Sequence, residues 1–140
     1  MNSDLQGDTN RALAVGLLRV ALGVNMLGHG GTRILHGVAG FAGQTAEHLS
    51  GTILPHAVTW GFALAIPFIE AVLGVLLILG LWRRVVLVAG SAFVMMLTVG
   101  VTLNQEWAIA GQQLLYSAVF AALLFGLQWD RFALDEGIRG

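Results

Sequence analysis

Four long stretches of the chain carry almost no charge, at residues 12–31, 57–81, 85–103 and 108–128, and polar residues gather between them. Each is close to the ~20 residues a helix needs to cross a hydrocarbon core of about 30 Å, because a helix rises about 1.5 Å per residue. The pattern predicts an all-α membrane protein, a four-helix bundle in a single domain spanning residues 1–140. The connections after 81 and 103 are tight turns, whereas the outer loop over 32–56 is long enough to form structure of its own. Within it a short interfacial helix is expected over 41–50, ended by Gly51 and followed by Pro55 at the opening of the second span. Trp60, Trp82, Trp107 and Trp129 stand at the expected span ends, where an amphipathic ring is best solvated.

Flanking charge gives the orientation, since Arg accumulates on the cytoplasmic side of membrane spans. Arg11, Arg83, Arg84, Arg131 and Arg139 fall on one side of an even-numbered bundle and only Arg33 falls on the other, so both termini are expected in the cytoplasm. Residues 1–10 carry Asp4 and Asp8 instead of a basic patch, and no small-residue cleavage site follows, so the first span is expected to be retained.

Composition narrows the chemistry. The 140 residues are 56% apolar and 11% charged, against about 45–50% and 25% in a soluble domain. With no Cys, disulfides, thiol couples and cysteine-ligated zinc or iron–sulfur centres are excluded. A net charge of −1 and the absence of Lys offer no surface for nucleic acid. His29, His36, His48 and His56 lack metal-ligand spacing, so no metal and no covalently bound cofactor is expected. Neither phosphate-loop glycines nor a Ser/His/Asp arrangement is present.

A charge inside the hydrocarbon costs about 2.5–3.5 kcal/mol even on lenient scales, so ionisable residues within spans are candidates for function. Two qualify, Arg19 and Glu70, and counting depth along the first two spans predicts that they form an ion pair. Such a pair also serves to fix helix register without any chemistry. The same count brings Asn25, Thr98 and Tyr116 to one level, with Gln112 and Gln113 a turn further out and Arg33 and His29 along the face of the first span. A quinone site needs donors to two carbonyl oxygens, a group that carries a proton, an apolar channel and access from the lipid. His29, Gln112, Tyr116 and Glu70 supply the first two, although Gln and Tyr in spans also bond neighbouring helices directly. Gly61 with Ala65 on the second span, and Ala118, Ala122 and Gly126 on the fourth, predict close helix packing.

Several motifs together are similar to one family. Leu17-Leu18-Arg19-x-x-x-Gly23 opens the first span, Gly28-His29-Gly30-Gly31-Thr32-Arg33 closes it, and Gly40-Phe41 follows. Ile69-Glu70-Ala71-x-x-Gly74-x-x-Leu77-Ile78-Leu79-Gly80-Leu81 precedes two arginines, and Asp130-Arg131-Phe132-Ala133-Leu134-Asp135 ends the chain's patterned part. These resemble the DoxX family of small four-span membrane proteins, named for its similarity to membrane subunits of a thiosulfate:quinone oxidoreductase. The resemblance implies a subunit of a redox-linked complex in a bacterial inner membrane, interacting with quinone while a peripheral protein performs the electron chemistry. The alternative is an accessory or assembly subunit, in which the small residues of the fourth span meet another membrane protein or a second copy. A transporter from four helices would need oligomerisation to supply an inverted repeat.

Overall fold

The computed structural model describes residues 2–135, with side chains from Leu5 onward, and among these residues it is helical with no strand. Arg139, counted above toward orientation, lies outside the described residues. The order is α1 (Asn2–His36), α2 (Val38–His48), α3 (His56–Leu79), α4 (Arg83–Leu103) and α5 (Trp107–Phe125), the last continued by a 3-10 turn over Gly126–Trp129. Four segments are long and apolar enough to cross a membrane: Leu5–His36, His56–Leu79, Arg83–Leu103 and Trp107–Trp129. Both described ends of the chain therefore lie at one end of the bundle, with the α3–α4 turn; this is called the tail end, and the other the α2 end.

The first span is longer than the apolar pattern indicates. Its helix runs through Gly28, Gly30 and Gly31 to His36, so most of the expected loop over 32–56 is helical and only its later part is irregular. Gly37, at φ 104°, turns the chain between α1 and α2 in a conformation open to glycine and few other residues. At the tail end, Gly80 (φ 68°) closes α3: its N–H donates to the Leu77 carbonyl at 3.2 Å and that of Leu81 to the Leu76 carbonyl at 3.1 Å, the Schellman arrangement.

Packing divides the bundle into two antiparallel pairs, α1 on α3 and α4 on α5, with α2 laid on α3. The first pair is close because glycine meets backbone. A Cβ on Gly30 would stand 2.4 Å from the Pro67 carbonyl oxygen, and one on Gly74 would stand 2.5 Å from the Leu27 nitrogen. Gly23 faces the Gly74 carbonyl in the same way, at 2.9 Å. In the second pair Gly90 makes room for the fully buried Phe120. Leu22, Met26, Leu73 and Leu77 join Phe93, Phe120 and Leu123 in one core.

The small-residue faces expected to pack are mostly elsewhere. Gly61 has open space around it, Ala118 and Ala122 are exposed and Ala65 is half-buried, while Gly126 alone meets a neighbouring helix, against Val15. The reason is facial: in α1, Gly23 and Gly30 lie seven residues apart on the side turned to α3, whereas Gly61, Ala118 and Ala122 fall on sides that no described helix covers.

Candidate polar sites in the bundle

Arg19 is 2% exposed and sits at the tail end, beneath the last turn of α3. Helical side chains lean toward the N-terminus of their own helix, which carries its guanidinium down to the C-terminal carbonyls of the antiparallel α3. There Nη1 donates to the carbonyls of Leu77 and, at 3.1 Å, of Ile78, while Nη2 donates to the Phe132 carbonyl at 2.7 Å. A cation at orphan carbonyls also meets the negative end of the helix dipole. Its counter-ion is Asp130, with Nε to Oδ2 at 2.9 Å and an Asp130 side chain 1% exposed. Arg83 approaches the same oxygen at 3.6 Å and donates to the Asp130 carbonyl. The Arg83 amide, the first of α4, donates to Asp135 Oδ2 at 3.2 Å, so the tail supplies the capping acceptor that Trp82 cannot. Residues 130–135 are thus strapped across the end of the bundle by two arginines.

Glu70 is also paired, though not with Arg19. Nη1 of Arg33 contacts both Glu70 carboxylate oxygens, and the Arg33 guanidinium lies over the Phe41 ring with its carbon 4.5 Å from the centroid. One arginine therefore joins α1, α3 and α2. The expected Arg19–Glu70 pair is replaced by two separate pairs, because α1 continues past Gly31 and brings Arg33 within reach, and because the register set by Gly23, Gly30 and Gly74 places Arg19 at the end of α3 instead of its middle.

Of the expected polar pocket, three residues converge. Asn25, Gln112 and Tyr116 line a cleft of about 450 Å³ between α1 and α5, where the two helix pairs barely touch. The Tyr116 hydroxyl donates to Asn25 Oδ1 at 2.7 Å across the cleft. Among the described residues, the Asn25 amide NH2 and the Gln112 side chain have no hydrogen-bond partner. Leu18, Leu22, Leu115 and Val119 continue the walls toward the tail end. From Asn25 to Leu18 is seven residues of helix, about 10 Å, so the cleft has a polar head and an apolar length. Asn25, Gln112 and Leu115 are exposed, which leaves the cleft open to the side of the bundle.

The remaining candidates lie apart. His29 is exposed on α1, Thr98 donates to the Val94 carbonyl of its own helix at 2.9 Å, and Arg33 belongs to the Glu70 pair. Gln113 turns away from the cleft, with a buried Oε1 that no group in the described residues meets. Among the described residues no cluster of His, Asp and Glu is arranged to hold a metal ion. At the α2 end, His48 Nε2 contacts Glu106 Oε1, which also accepts from Asn104 Nδ2 at 2.6 Å. The Asn104 hydrogen bond chiefly holds the Glu106 carboxyl below its ordinary value; loss of water opposes it, and the contact with His48 adds a lesser lowering.

Asp130 is the residue that sequence reasoning missed. Its signal was its place: an acid directly after the fourth span falls on the same side as Arg83 and near the opening of the first span, where Arg19 needs a counter-ion. A family model, DoxX, matches residues 14–105, which hold Arg19, Asn25, Arg33 and Glu70 but not Gln112, Tyr116 or Asp130. No curated protein and no solved structure matches the chain.

Proposed function

The chain belongs to the DoxX family, and on that premise we propose that it is a membrane subunit of a redox-linked complex that holds a quinone-class molecule in the cleft between α1 and α5. The observation that carries the reading is the Tyr116–Asn25 hydrogen bond across the cleft, with Gln112 beside it. Polar groups facing hydrocarbon with hydrogen bonds unmade cost several kcal/mol each. By accepting from Tyr116, Asn25 Oδ1 fixes the amide so that its NH2 is left for a ligand, and Gln112 offers a second donor. A flat ring with two carbonyl oxygens satisfies both donors, and its apolar tail lies along Leu18, Leu22 and Val119. Entry is lateral, from the lipid. With no Cys in the chain, the electrons come from a protein partner at the membrane surface. The excess of Arg at the tail end supports a cytoplasmic location for that end, in a bacterial inner membrane.

The test is equilibrium binding of decylubiquinone and of a menaquinone analogue to the purified protein in detergent. Saturable binding is expected, weakened about tenfold by Gln112→Leu through loss of one donor. Glu70→Gln is expected to leave it unchanged, since Glu70 lies outside the cleft. Absence of saturable binding to the unmodified protein refutes the reading.

One observation favours an accessory role as well. The fourth span is the least covered, with 11% of its apolar window buried, and Ala118 and Ala122 face outward. Small residues on an uncovered face allow a partner helix to approach closely. Ala118→Leu/Ala122→Leu is then expected to abolish co-purification of a membrane partner while leaving the isolated chain folded.

A further inference from the structure

A second, larger cavity of about 650 Å³ lies at the tail end, beside the α3–α4 turn. Leu81, Leu127 and the outward-facing Val85 form its apolar side, and Trp82, Arg83, Arg84 and Asp135 form its rim. The turn itself sets the rim. Trp82 adopts a left-handed conformation (φ 45°) and its side chain is left 69% exposed, at the depth where a span ends. The other charges at or beside this rim balance: Arg83 lies between Asp130 and Asp135, and Asp130 is also met by Arg19, two cations for two carboxylates. Arg84 is exposed, and its guanidinium has no acidic partner among the described residues. The cavity thus presents one uncompensated guanidinium and an indole above an apolar wall.

We infer that this cavity binds the phosphate of an anionic phospholipid from the leaflet at the tail end. An arginine fork recognises phosphate oxygens by paired, charge-assisted hydrogen bonds. Basic pockets at span ends take lipid headgroups, and an interfacial tryptophan packs against the glycerol region. The apolar wall selects a lipid over a free phosphate ion: Leu81, Val85 and Leu127 offer contact to the first methylenes of an acyl chain, and the volume leaves room for them. The site lies at a different end of the chain's fold from the head of the α1–α5 cleft and stands without it.

The experiment is native mass spectrometry and equilibrium binding of the whole protein in mild detergent, with dioleoylphosphatidylglycerol, dioleoylphosphatidylcholine and inorganic phosphate as probes. Phosphatidylglycerol is expected to remain bound and phosphatidylcholine not. Arg84→Gln is expected to weaken phosphatidylglycerol about tenfold, the loss of one charge-assisted contact. Arg131→Gln, an exposed arginine at the same end but outside the cavity, is expected to leave it unchanged. Equal effects of the two substitutions would mean diffuse attraction to a basic face and overturn the inference. So would equal retention of both lipids, or inorganic phosphate competing at the same affinity, which would assign the cavity to a soluble anion. Arg84→Lys, which keeps the charge and loses the fork, is expected to fall between Arg84→Gln and the unmodified protein.

Discussion

Gly74 and Gly61 lie on the same helix, and replacing each by Ala separates the two things a methyl group does there. In both cases Ala is the better helix former, by about 0.8–1 kcal/mol. Around Gly61 there is open space, so Gly61→Ala keeps that gain. A methyl on Gly74 would stand 2.5 Å from the Leu27 nitrogen, 2.8 Å from the Gly23 carbonyl oxygen and 2.8 Å from the Leu27 Cα. All three are backbone atoms of α1, so no side chain rotates away. Reaching an ordinary contact near 3.5 Å requires the helices to part by about 1 Å, and a gap of that size forfeits a quarter to a half of each dispersion well of about 0.1–0.2 kcal/mol. Over the several dozen atom pairs of such a crossing the loss is about 2 kcal/mol, within the usual 1–3 kcal/mol of overpacking. In lipid this contact is what holds the pair, since helices gain nothing from the hydrophobic effect there. The propensity gain cancels in the comparison, so Gly74→Ala is expected to be less stable than Gly61→Ala by about 2 kcal/mol, roughly a thirtyfold change in the folded fraction. Reversible unfolding in mixed micelles measures it. A difference below about 0.5 kcal/mol, within the additive scatter of independent sites, would refute the glycine-mediated crossing.

The corrected pairing makes its own prediction. Arg19→Leu leaves Asp130 buried with only Arg83 near it and is expected to cost about 3–5 kcal/mol, much of which Arg19→Leu/Asp130→Leu recovers. In double-mutant cycles, Arg19 with Asp130 and Arg33 with Glu70 should each couple by more than about 1 kcal/mol, and Arg19 with Glu70 by less than about 0.5 kcal/mol. The Glu106 contacts predict an acid limb. A carboxyl whose value is lowered by folding contributes stability above its unfolded value, 4.5, and loses it as pH falls through the lower folded value. Thermal unfolding against pH should therefore show stability falling on acidification below that point, and Asn104→Ala, which removes the largest cause, should shrink the fall. A Gly80→Ala variant should be destabilised twice over, by its left-handed φ and by a methyl 2.6 Å from Ala133 Cβ, and a wild-type melting temperature would contradict this.

What the sequence disclosed best was what depends on one helix at a time. The four apolar runs, and the shared level of Asn25 and Tyr116, follow from length and rise per residue, which are the same in every helix; the count also puts Thr98 at that level, and which side chains face one cleft depends on helix rotation. The partners of Arg19 and Glu70 depend on how one helix slides along another, and a shift of one or two turns changes every partner. That shift is set by glycine contacts and by where α1 stops, and the glycines at 28, 30 and 31 looked like an ending because they break helices in water. At Gly30 the same lack of a side chain permits contact with α3, and α1 passes through. The tail was illegible for a further reason: its folding back over the bundle is specified by Arg19 and Arg83, residues distant in sequence from the segment they hold.

That distance has a consequence for how the chain is made. Arg19 stands in α1, while the carbonyl of Phe132 that it binds is 113 residues downstream. At about 5–20 residues per second, synthesis of the intervening chain takes on the order of ten seconds. During that interval the guanidinium has the end of α3 to bind, but Asp130, its counter-ion, has not yet been made. α1 and α3 therefore exist before the carboxylate that neutralises Arg19 has been made. Docking of residues 130–135 onto Arg19 and Arg83, more than closure of any helix pair, neutralises that end of the bundle.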